Sequence, residues 1–307
     1  MSTTSSGEPV PNVHANAIVI WTSVGFPLAT IALALRLYVR ARINKFFGYD
    51  DWVISASWVT FTILTSLQIW YGVTVRGDGI ETSYDKITLI TEWHTFFYTL
   101  NQALLKAALG AFYLRVLQER WQRNAVIITT SIFVVYTVTV GFLLLFQCGN
   151  PEDVESTNCL PNEPLLITVY VQAGLSVAMD WFLTLLPSTV FFQTQLSARS
   201  KASVGLLMML GGIASTFSIA RIPFINTSDG DGDEGYIILT RLLLLSYWEN
   251  CVAQIGIAAV ALRPLFRMLL GTANSGSEQQ LELRSYHGAG SEGNSEKSDE
   301  SVGKPTL

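Results

Sequence analysis

The sequence contains seven long apolar blocks separated by short charged clusters, and this pattern leaves few folds open to the chain. The blocks cover approximately residues 16–35, 52–71, 87–114, 126–146, 165–192, 204–222 and 236–262. Each block is long enough to cross a bilayer core of roughly 30 Å as a helix. Only 14% of the residues are charged, whereas a soluble domain carries about a quarter. We therefore predict an all-α integral membrane bundle of seven transmembrane helices.

The distribution of Lys and Arg predicts the orientation of this bundle. With the N-terminus outside, the inner connections carry Arg36, Arg40, Arg42, Lys45, Arg115, Arg120, Arg123, Arg199, Lys201, Arg263 and Arg267. The outer side then carries Arg76, Lys86, Arg221 and Arg241. Because cytoplasmic segments of membrane proteins are enriched in Lys and Arg, we expect the N-terminus outside and the C-terminus in the cytoplasm. The plasma membrane is the favoured location, with an endomembrane as the alternative.

Composition divides the chain into three regions. Residues 1–15 form a short extracytoplasmic N-terminus, and residues 16–270 form the seven-helix membrane domain. The first fifteen residues contain no Lys or Arg, so we expect the first block to remain as a helix instead of being cleaved as a signal peptide. Residues 271–307 are acidic and rich in Ser and Gly, which predicts a disordered cytoplasmic tail.

Two of the three cysteines lie in one outer loop. Cys148 and Cys159 are close in sequence, and an oxidising compartment on that side permits a disulfide. We predict this bond in preference to two free thiols, and we expect Cys251 to be a buried side chain. Asn226 begins a glycosylation sequon on the same side, although its closeness to the membrane disfavours its use.

Ionisable residues at membrane depth are the best candidates for a functional site, because their burial is costly. Lys106, Asp180 and Glu249 fall within the third, fifth and seventh blocks, and Asn101 and Asn250 lie at similar depth. We predict an intramembrane polar cluster of these five residues. Two interpretations remain open. The cluster serves as a ligand pocket, proton path or conformational switch, or it is a polar network that fixes helix packing.

A second polar layer lies towards the outer face. It comprises Glu92, His94, Arg221 and Arg241. Its access to water makes this layer the better candidate for binding a small molecule. In the alternative interpretation, the two arginines simply extend their charged ends to the membrane interface.

A charged motif also marks the inner start of the second helix. Two adjacent aspartates there complement the positive end of the helix dipole and can cap its free amide groups. The same aspartates face basic residues across a short loop. We favour a helix cap with local ion pairing over a cytoplasmic latch that changes with receptor state. The residues of this motif are Arg36, Arg40, Gly48, Asp50, Asp51 and Trp52.

Several function classes find no support in the sequence. There is no zinc-ligand spacing, no P-loop, no GxSxG motif and no basic stripe for nucleic acid. Retinal attachment needs a lysine in the last helix, and the block 236–262 contains none. We therefore predict no catalytic residues, no metal and no cofactor, and we expect that the protein is neither an enzyme nor a retinal protein.

A series of motifs across residues 16–270 resembles a known family. These motifs are Arg36-Leu-Tyr-Val-Arg40, Phe47-Gly48-Tyr49-Asp50-Asp51-Trp52, Lys106 with Tyr113-Leu114-Arg115, Phe146-Gln147-Cys148, Asp180 with Leu186-Pro187, Trp248-Glu249 and Arg263-Pro264-Leu265. The chain is similar to the fungal rhodopsin-domain integral membrane proteins, which include PTH11-like receptor candidates and membrane proteins of satratoxin-type gene clusters. The resemblance implies a seven-helix protein with a receptor-like role.

The leading functional hypothesis is a receptor-like protein that senses a small molecule or surface cue. Its partners are then the lipid bilayer, a small-molecule ligand and a cytoplasmic signalling protein such as a heterotrimeric G protein. The alternative is an accessory or transport membrane protein of a secondary-metabolite biosynthetic gene cluster. A membrane-embedded enzyme is the least favoured hypothesis.

Overall fold

The computed structural model describes residues 10–43, 48–77, 84–117, 119–149, 159–193, 198–226 and 233–261. Over these residues the secondary structure is entirely helical, without a strand, which confirms the all-α prediction for this part of the chain. Seven long helices are present. They are α1 Val10–Tyr38, α2 Tyr49–Gly77, α3 Tyr84–Val116, α4 Arg120–Leu145, α5 Asn162–Gln193, α6 Ala198–Arg221 and α7 Asp233–Ala261.

Each apolar block of the sequence corresponds to one of these helices, but the helices are longer than most of the blocks. For example, α4 begins six residues before its block, at Arg120. The difference arises because hydropathy detects only the apolar part of a helix, while backbone hydrogen bonds continue into its polar ends. A π-helical turn at Val39–Ile43 extends α1, and a 3₁₀ turn at Ile222–Phe224 follows α6.

The helices form a closed ring. Each helix packs against its neighbours in sequence, and α7 packs against α1 to close the ring. In addition, α3 contacts α7 across the interior. Side chains on these two helices therefore meet at the centre of the bundle.

The bundle is apolar outside and polar inside, which is the arrangement expected of a protein surrounded by lipid. Large apolar side chains such as Ile31, Val135 and Ile167 are each more than 60% exposed. In contrast, Arg36, Asp51 and Asn101 are fully buried. Together with the apolar helices, this distribution identifies a multi-pass membrane protein.

Five helices in the described part of the chain are long and apolar enough to cross a bilayer. These spans are Val13–Arg42, Tyr49–Gly77, Arg120–Leu145, Asn162–Leu186 and Glu234–Ala259. Helix α3 does not meet the same measure of hydropathy. For α3 the reason is visible in the structure, because His94, Asn101, Gln102 and Lys106 all face the protein interior. Averaging hydropathy along the helix counts these side chains although lipid does not contact them.

The predicted disulfide is present between Cys148 and Cys159. It joins the end of α4 to the segment before α5, and the Leu160 N–H donates to the Gln147 carbonyl at 2.8 Å beside it. Gly149 adopts a φ of 90° here, a conformation that favours glycine. We call this end of the bundle, where α4 and α6 end and α3, α5 and α7 begin, the disulfide end. Cys251 is a buried free thiol, as expected.

Some predictions fall on residues outside the described part of the chain. The tail 271–307 lies there, as do Lys45, Arg263 and Arg267. Asn226 is described, but the other two residues of its sequon are not. Of the predicted N-terminal segment 1–15, residues 10–15 already belong to α1.

Candidate functional site

A column of buried polar side chains runs through the bundle between α3, α5, α6 and α7. At one end of this column, Lys106 of α3 forms a salt bridge with Asp180 of α5, and both side chains are less than a tenth exposed. The Ser218 hydroxyl of α6 lies 3.3 Å from Asp180 Oδ2 and 2.6 Å from Glu249 Oε1. Because a hydroxyl has one proton to donate, Ser218 can satisfy only one of these two carboxylates at a time.

Glu249 is the centre of this column. Its Oε2 accepts a hydrogen bond of 2.9 Å from the Tyr98 hydroxyl, and the Ser176 hydroxyl lies 3.4 Å from Oε1. Arg221, at the end of α6, places its Nε 3.9 Å from Glu249 Oε2. The Arg221 guanidinium also stacks over the Tyr98 ring, 4.6 Å from the ring centre, which is a favourable cation–π arrangement.

The five residues of the predicted intramembrane cluster separate into two groups. Lys106, Asp180 and Glu249 belong to the column described above. Asn101 and Asn250 instead pair with each other at 2.7 Å between α3 and α7. Ser57 of α2 extends this second group, donating to Asn101 Oδ1 at 2.7 Å.

The four residues of the predicted outer layer do not form one site either. Arg221 is buried against Glu249 and does not extend to the interface, because its position on α6 faces α3 and α7. His94 is also buried, with Nε2 3.0 Å from Gln68 Oε1. Glu92 is half-buried and accepts a weak hydrogen bond from Gln147. Arg241 is exposed, with its guanidinium 6.0 Å from the Phe224 ring.

Tyr98 and Ser218, which join the charged residues of the column, are not among the predicted site residues. A signal for Tyr98 is present in the sequence. His94, Tyr98, Gln102 and Lys106 follow one another at intervals of four residues, which places them along one face of a helix. All four side chains are buried. Ser218 has no comparable signal, because a single serine in an apolar helix is common.

A second charged group lies at the opposite end of the bundle, and we call it the arginine–aspartate cluster. It comprises Arg36, Arg40, Asp50, Asp51 and Arg115. Arg36 is fully buried and contacts Asp50 at 2.8 Å and Asp51 at 3.1 Å. It also donates to the Ile257 carbonyl of α7 at 2.6 Å. The cluster therefore connects α1, α2, α3 and α7.

The two aspartates have different roles in this cluster. Asp51 Oδ2 accepts the Gly48 N–H at 3.1 Å and so reaches back to cap the start of α2. Asp50 instead contacts the three arginines, including Arg115 of α3 at 3.1 Å. Trp52, although next to them in sequence, is 69% exposed. An aromatic side chain at this position suits the membrane interface.

Gly48 is required by the close packing of this cluster. A Cβ atom at this position would collide with the Arg115 guanidinium and with the Asp50 carboxylate. We expect Gly48→Ala to lower the free energy of unfolding by about 1–3 kcal/mol, the usual cost of overpacking. Denaturation of the purified protein in mixed micelles measures this change. Gly77→Ala at the other end of α2 is the matched control, because a Cβ atom there meets nothing within 4 Å. Equal stability of the two variants would contradict the prediction.

A cavity of about 510 Å³ lies at the disulfide end. Its wall includes His94 and Tyr98 of α3, Gln172 of α5, Arg221 of α6 and Ser246 of α7. Ligand pockets in proteins commonly have volumes of about 300–1,000 Å³. The cavity reaches the polar column directly, because Tyr98 and Arg221 belong to both.

A narrower crevice of about 50 Å³ lies beside Lys106 and Asp180. A crevice of this size holds a few water molecules at most. Over the described residues, no group of three His, Cys, Asp or Glu side chains is placed to hold a metal ion.

Comparison with known proteins identifies a family for the chain. Residues 35–268 match the model of the fungal rhodopsin domain. One similar protein is the "Polyenoic acids biosynthesis gene cluster protein Ba17b" of Metarhizium anisopliae. It is 24% identical over 66% of this chain and 58% of its own length. Another is "Receptor GIN3" of Arthrobotrys oligospora, which is 23% identical over 87% of this chain and 67% of its own length.

The chain thus spans less than two thirds of the first of these relatives. No solved structure shows significant similarity to this chain. The family match covers most of the chain and includes the arginine–aspartate cluster, the disulfide and the buried column. The chain belongs to the fungal rhodopsin-domain family of multi-pass membrane proteins.

Proposed function

We propose that this protein is a receptor-like membrane protein that binds a small molecule in the cavity at the disulfide end. The observation that carries this proposal is the connection between the cavity and the buried column. Arg221 lines the cavity and contacts Glu249, which leads through Ser218 to Asp180 and Lys106. A similar protein that is named a receptor supports the proposal.

The mechanism uses the Ser218 hydroxyl as a switch between two carboxylates. A ligand that draws Arg221 towards the cavity weakens its attraction to Glu249, and the column must redistribute its hydrogen bonds. The Ser218 hydroxyl lies within hydrogen-bond distance of both Glu249 and Asp180, so a change at one carboxylate reaches the other through it. The resulting shift of α3 and α7 would reach the arginine–aspartate cluster, which contacts both helices.

The proposed topology has seven transmembrane helices, with the disulfide end outside. Both α3 and α6 cross the membrane in this arrangement, with Lys106 of α3 and Arg221 of α6 facing the interior. The Lys and Arg distribution supports it, as does a disulfide on the oxidising side. Residues 1–15 are then extracytoplasmic, residues 16–270 form the membrane domain, and residues 271–307 are a disordered cytoplasmic tail. Asn226 becomes available for glycosylation.

Cysteine labelling tests this topology. In fungal cells with the protein at the plasma membrane, an impermeant maleimide should label Glu163→Cys and not Arg123→Cys. Both positions are exposed, and they lie at opposite ends of the bundle. Cys251 is buried and serves as the internal negative control. Labelling of Arg123→Cys alone would reverse the orientation. Labelling of Glu163→Cys only after permeabilisation would place the protein in an endomembrane.

A two-part measurement tests the receptor proposal. The purified protein in lipid nanodiscs is screened for thermal stabilisation by a diverse panel of acids, amines and neutral compounds. Stabilising compounds are then tested with an environment-sensitive fluorophore at Arg123→Cys. We expect a change in fluorescence that requires Ser218. In Ser218→Ala the stabilisation should remain, while the fluorescence change should fall severalfold.

Thr216→Ala is the matched control for this experiment. Thr216 lies on the same helix, but it is exposed and donates to the Gly212 carbonyl of its own helix. It should retain the fluorescence response. If the stabilising compounds bind but cause no fluorescence change at Arg123→Cys, that result would contradict a receptor function. Purified G protein α subunit with a nucleotide-exchange assay then tests whether a heterotrimeric G protein is the cytoplasmic partner.

The second candidate function is an accessory or transport protein of a secondary-metabolite gene cluster. One similar protein carries a gene-cluster name, and the crevice beside Lys106 and Asp180 offers a polar route beyond the cavity. Uptake of stabilising compounds into proteoliposomes tests it. Uptake that is lost in Asp180→Asn would favour transport over the receptor function. Neither function involves catalysis, and we assign no reaction to this protein.

A further inference from the structure

Arg221 is a buried cation whose hydrogen-bonding capacity the described residues leave largely unused. Only 5% of this residue is exposed, and its Nε has no hydrogen-bond acceptor. Its recorded contacts are the ion pair with Glu249 at 3.9 Å and the stacking over Tyr98. A guanidinium carries five N–H donors, and leaving them unsatisfied in a buried site is costly. The site therefore favours an additional acceptor.

Glu249 does not fill this role, although it is the nearest carboxylate. Its two oxygens already accept hydrogen bonds from Tyr98 and Ser218, at 2.9 Å and 2.6 Å. The distance of 3.9 Å to Arg221 exceeds the range of a hydrogen bond. Hydroxyl groups thus supply the short hydrogen bonds of Glu249, while the Arg221 Nε has no acceptor among the described residues.

These donors adjoin a cavity whose wall is partly apolar and partly polar. Arg221 lines this cavity of about 510 Å³ together with eight aliphatic side chains, among them Leu165, Val169 and Leu243, which form its aliphatic wall. Hydroxyl and amide side chains such as Thr95, Gln172 and Ser246 add neutral polar groups. A guanidinium beside an aliphatic wall matches a molecule with an anionic group and a hydrocarbon body.

We propose that the cavity binds a small organic acid, whose carboxylate pairs with Arg221 and whose hydrocarbon body packs against the aliphatic wall. This assignment rests on the proposed function, in which the cavity is the ligand site. Arginine is suited to the role because its planar fork can bind both oxygens of a carboxylate. The pairing also satisfies donors that the protein leaves free.

The one carboxylate at the rim does not change this assignment. Glu163 lines the cavity but is exposed to water, where its charge is screened. An amine would therefore interact with Glu163 at the rim and would meet a like charge in Arg221 deeper inside. A neutral molecule would leave Glu249, at 3.9 Å, as the nearest counter-charge of the guanidinium, beyond hydrogen-bond distance. An acid is the class of ligand that the deeper part of the cavity fits best.

Photolabelling tests the proposal. The probe is a medium-chain fatty acid with a diazirine group, applied to the purified full-length protein in phosphatidylcholine nanodiscs. Mass spectrometry should find the label on peptides of the cavity wall. Decanoic acid should compete at least about tenfold better than decanol or decylamine, since hydrogen bonds to a charged group contribute that much. Equal competition by decanol would overturn the acid class, but it would leave the cavity as a ligand site.

Variants of Arg221 make the test specific. Arg221→Gln should abolish the preference for decanoic acid over decanol, and Arg221→Lys should retain part of it. Arg241→Gln is the matched control, because Arg241 is an exposed arginine at the same end of the bundle. A preference unchanged in both Arg221 variants would overturn the proposal. If Arg221→Gln does not fold, the wild-type competition and Arg221→Lys still decide the question.

Two further outcomes separate this proposal from related ones. If phosphatidylserine in the nanodiscs abolishes labelling by the fatty-acid probe, the cavity binds a lipid headgroup. That result would overturn the proposal that its ligand is a free organic acid. Absence of label from the cavity wall would overturn the proposal as well. It would not decide the receptor function, which the fluorescence response at Arg123→Cys tests with compounds of every class.

Discussion

Replacing Asp180 by leucine is expected to destabilise the protein by about 3–5 kcal/mol, the usual effect of removing one partner from a buried ion pair. Lys106 would lose its carboxylate partner in a site where only 4% of the residue is exposed. Ser218 would also lose one of its two carboxylate acceptors. Denaturation in mixed micelles measures the free energy of unfolding, and size-exclusion chromatography shows whether the variant remains monodisperse.

The double variant Lys106→Met/Asp180→Leu controls for the loss of the carboxylate itself. Removing both charges leaves no unpaired ion, so most of the stability should return. This rescue would show that Asp180 stabilises the protein by compensating Lys106. A loss of less than about 1 kcal/mol in Asp180→Leu, as at an exposed ion pair, would mean that water reaches Lys106.

Arg36→Met should have an effect of similar size at the opposite end of the bundle. The variant leaves Asp50 and Asp51 buried with one counter-charge fewer, and it removes the hydrogen bond to the Ile257 carbonyl. We expect a loss of about 3–5 kcal/mol. Because this contact ties α1 to the end of α7, hydrogen exchange should also increase at that end of α7.

Arg42→Met is the matched control for this variant. Arg42 lies in the π-helical turn that extends α1, but its side chain is exposed. The control should therefore change the free energy of unfolding by less than about 0.5 kcal/mol, as is usual for surface positions. If Arg36→Met and Arg42→Met were equally stable, the arginine–aspartate cluster would not be a structural element of the fold.

The arginine–aspartate cluster and the polar column differ in the sequence separation of their residues and in their access to the cavity. The arginine–aspartate cluster is formed mainly by residues close in sequence, at the end of α1 and the start of α2, with Arg115 added from α3. The column instead joins α3, α5, α6 and α7 through contacts between residues that are 28 to 151 positions apart. It also reaches the cavity through Tyr98 and Arg221. A ligand can therefore act on the column directly, while the cluster responds through the helices.

Hydropathy and residue type predicted much of this protein. The apolar blocks gave the helical architecture, because a segment in lipid must satisfy its own backbone hydrogen bonds. The closely spaced Cys148 and Cys159 predicted the disulfide, which the structure contains. The motif around Gly48 predicted pairing of Arg36 and Arg40 with the two aspartates, since a short connection holds these residues close together.

Only the tertiary structure decided which distant side chains meet. It paired Asn101 with Asn250 apart from Lys106, buried Arg221 against Tyr98, and left Arg241 exposed. It also placed Ser218 between two carboxylates. The physical reason is that hydropathy reports how a segment partitions into lipid, whereas the direction of a side chain depends on helix rotation and packing. Those are fixed by contacts between helices that lie far apart in the chain.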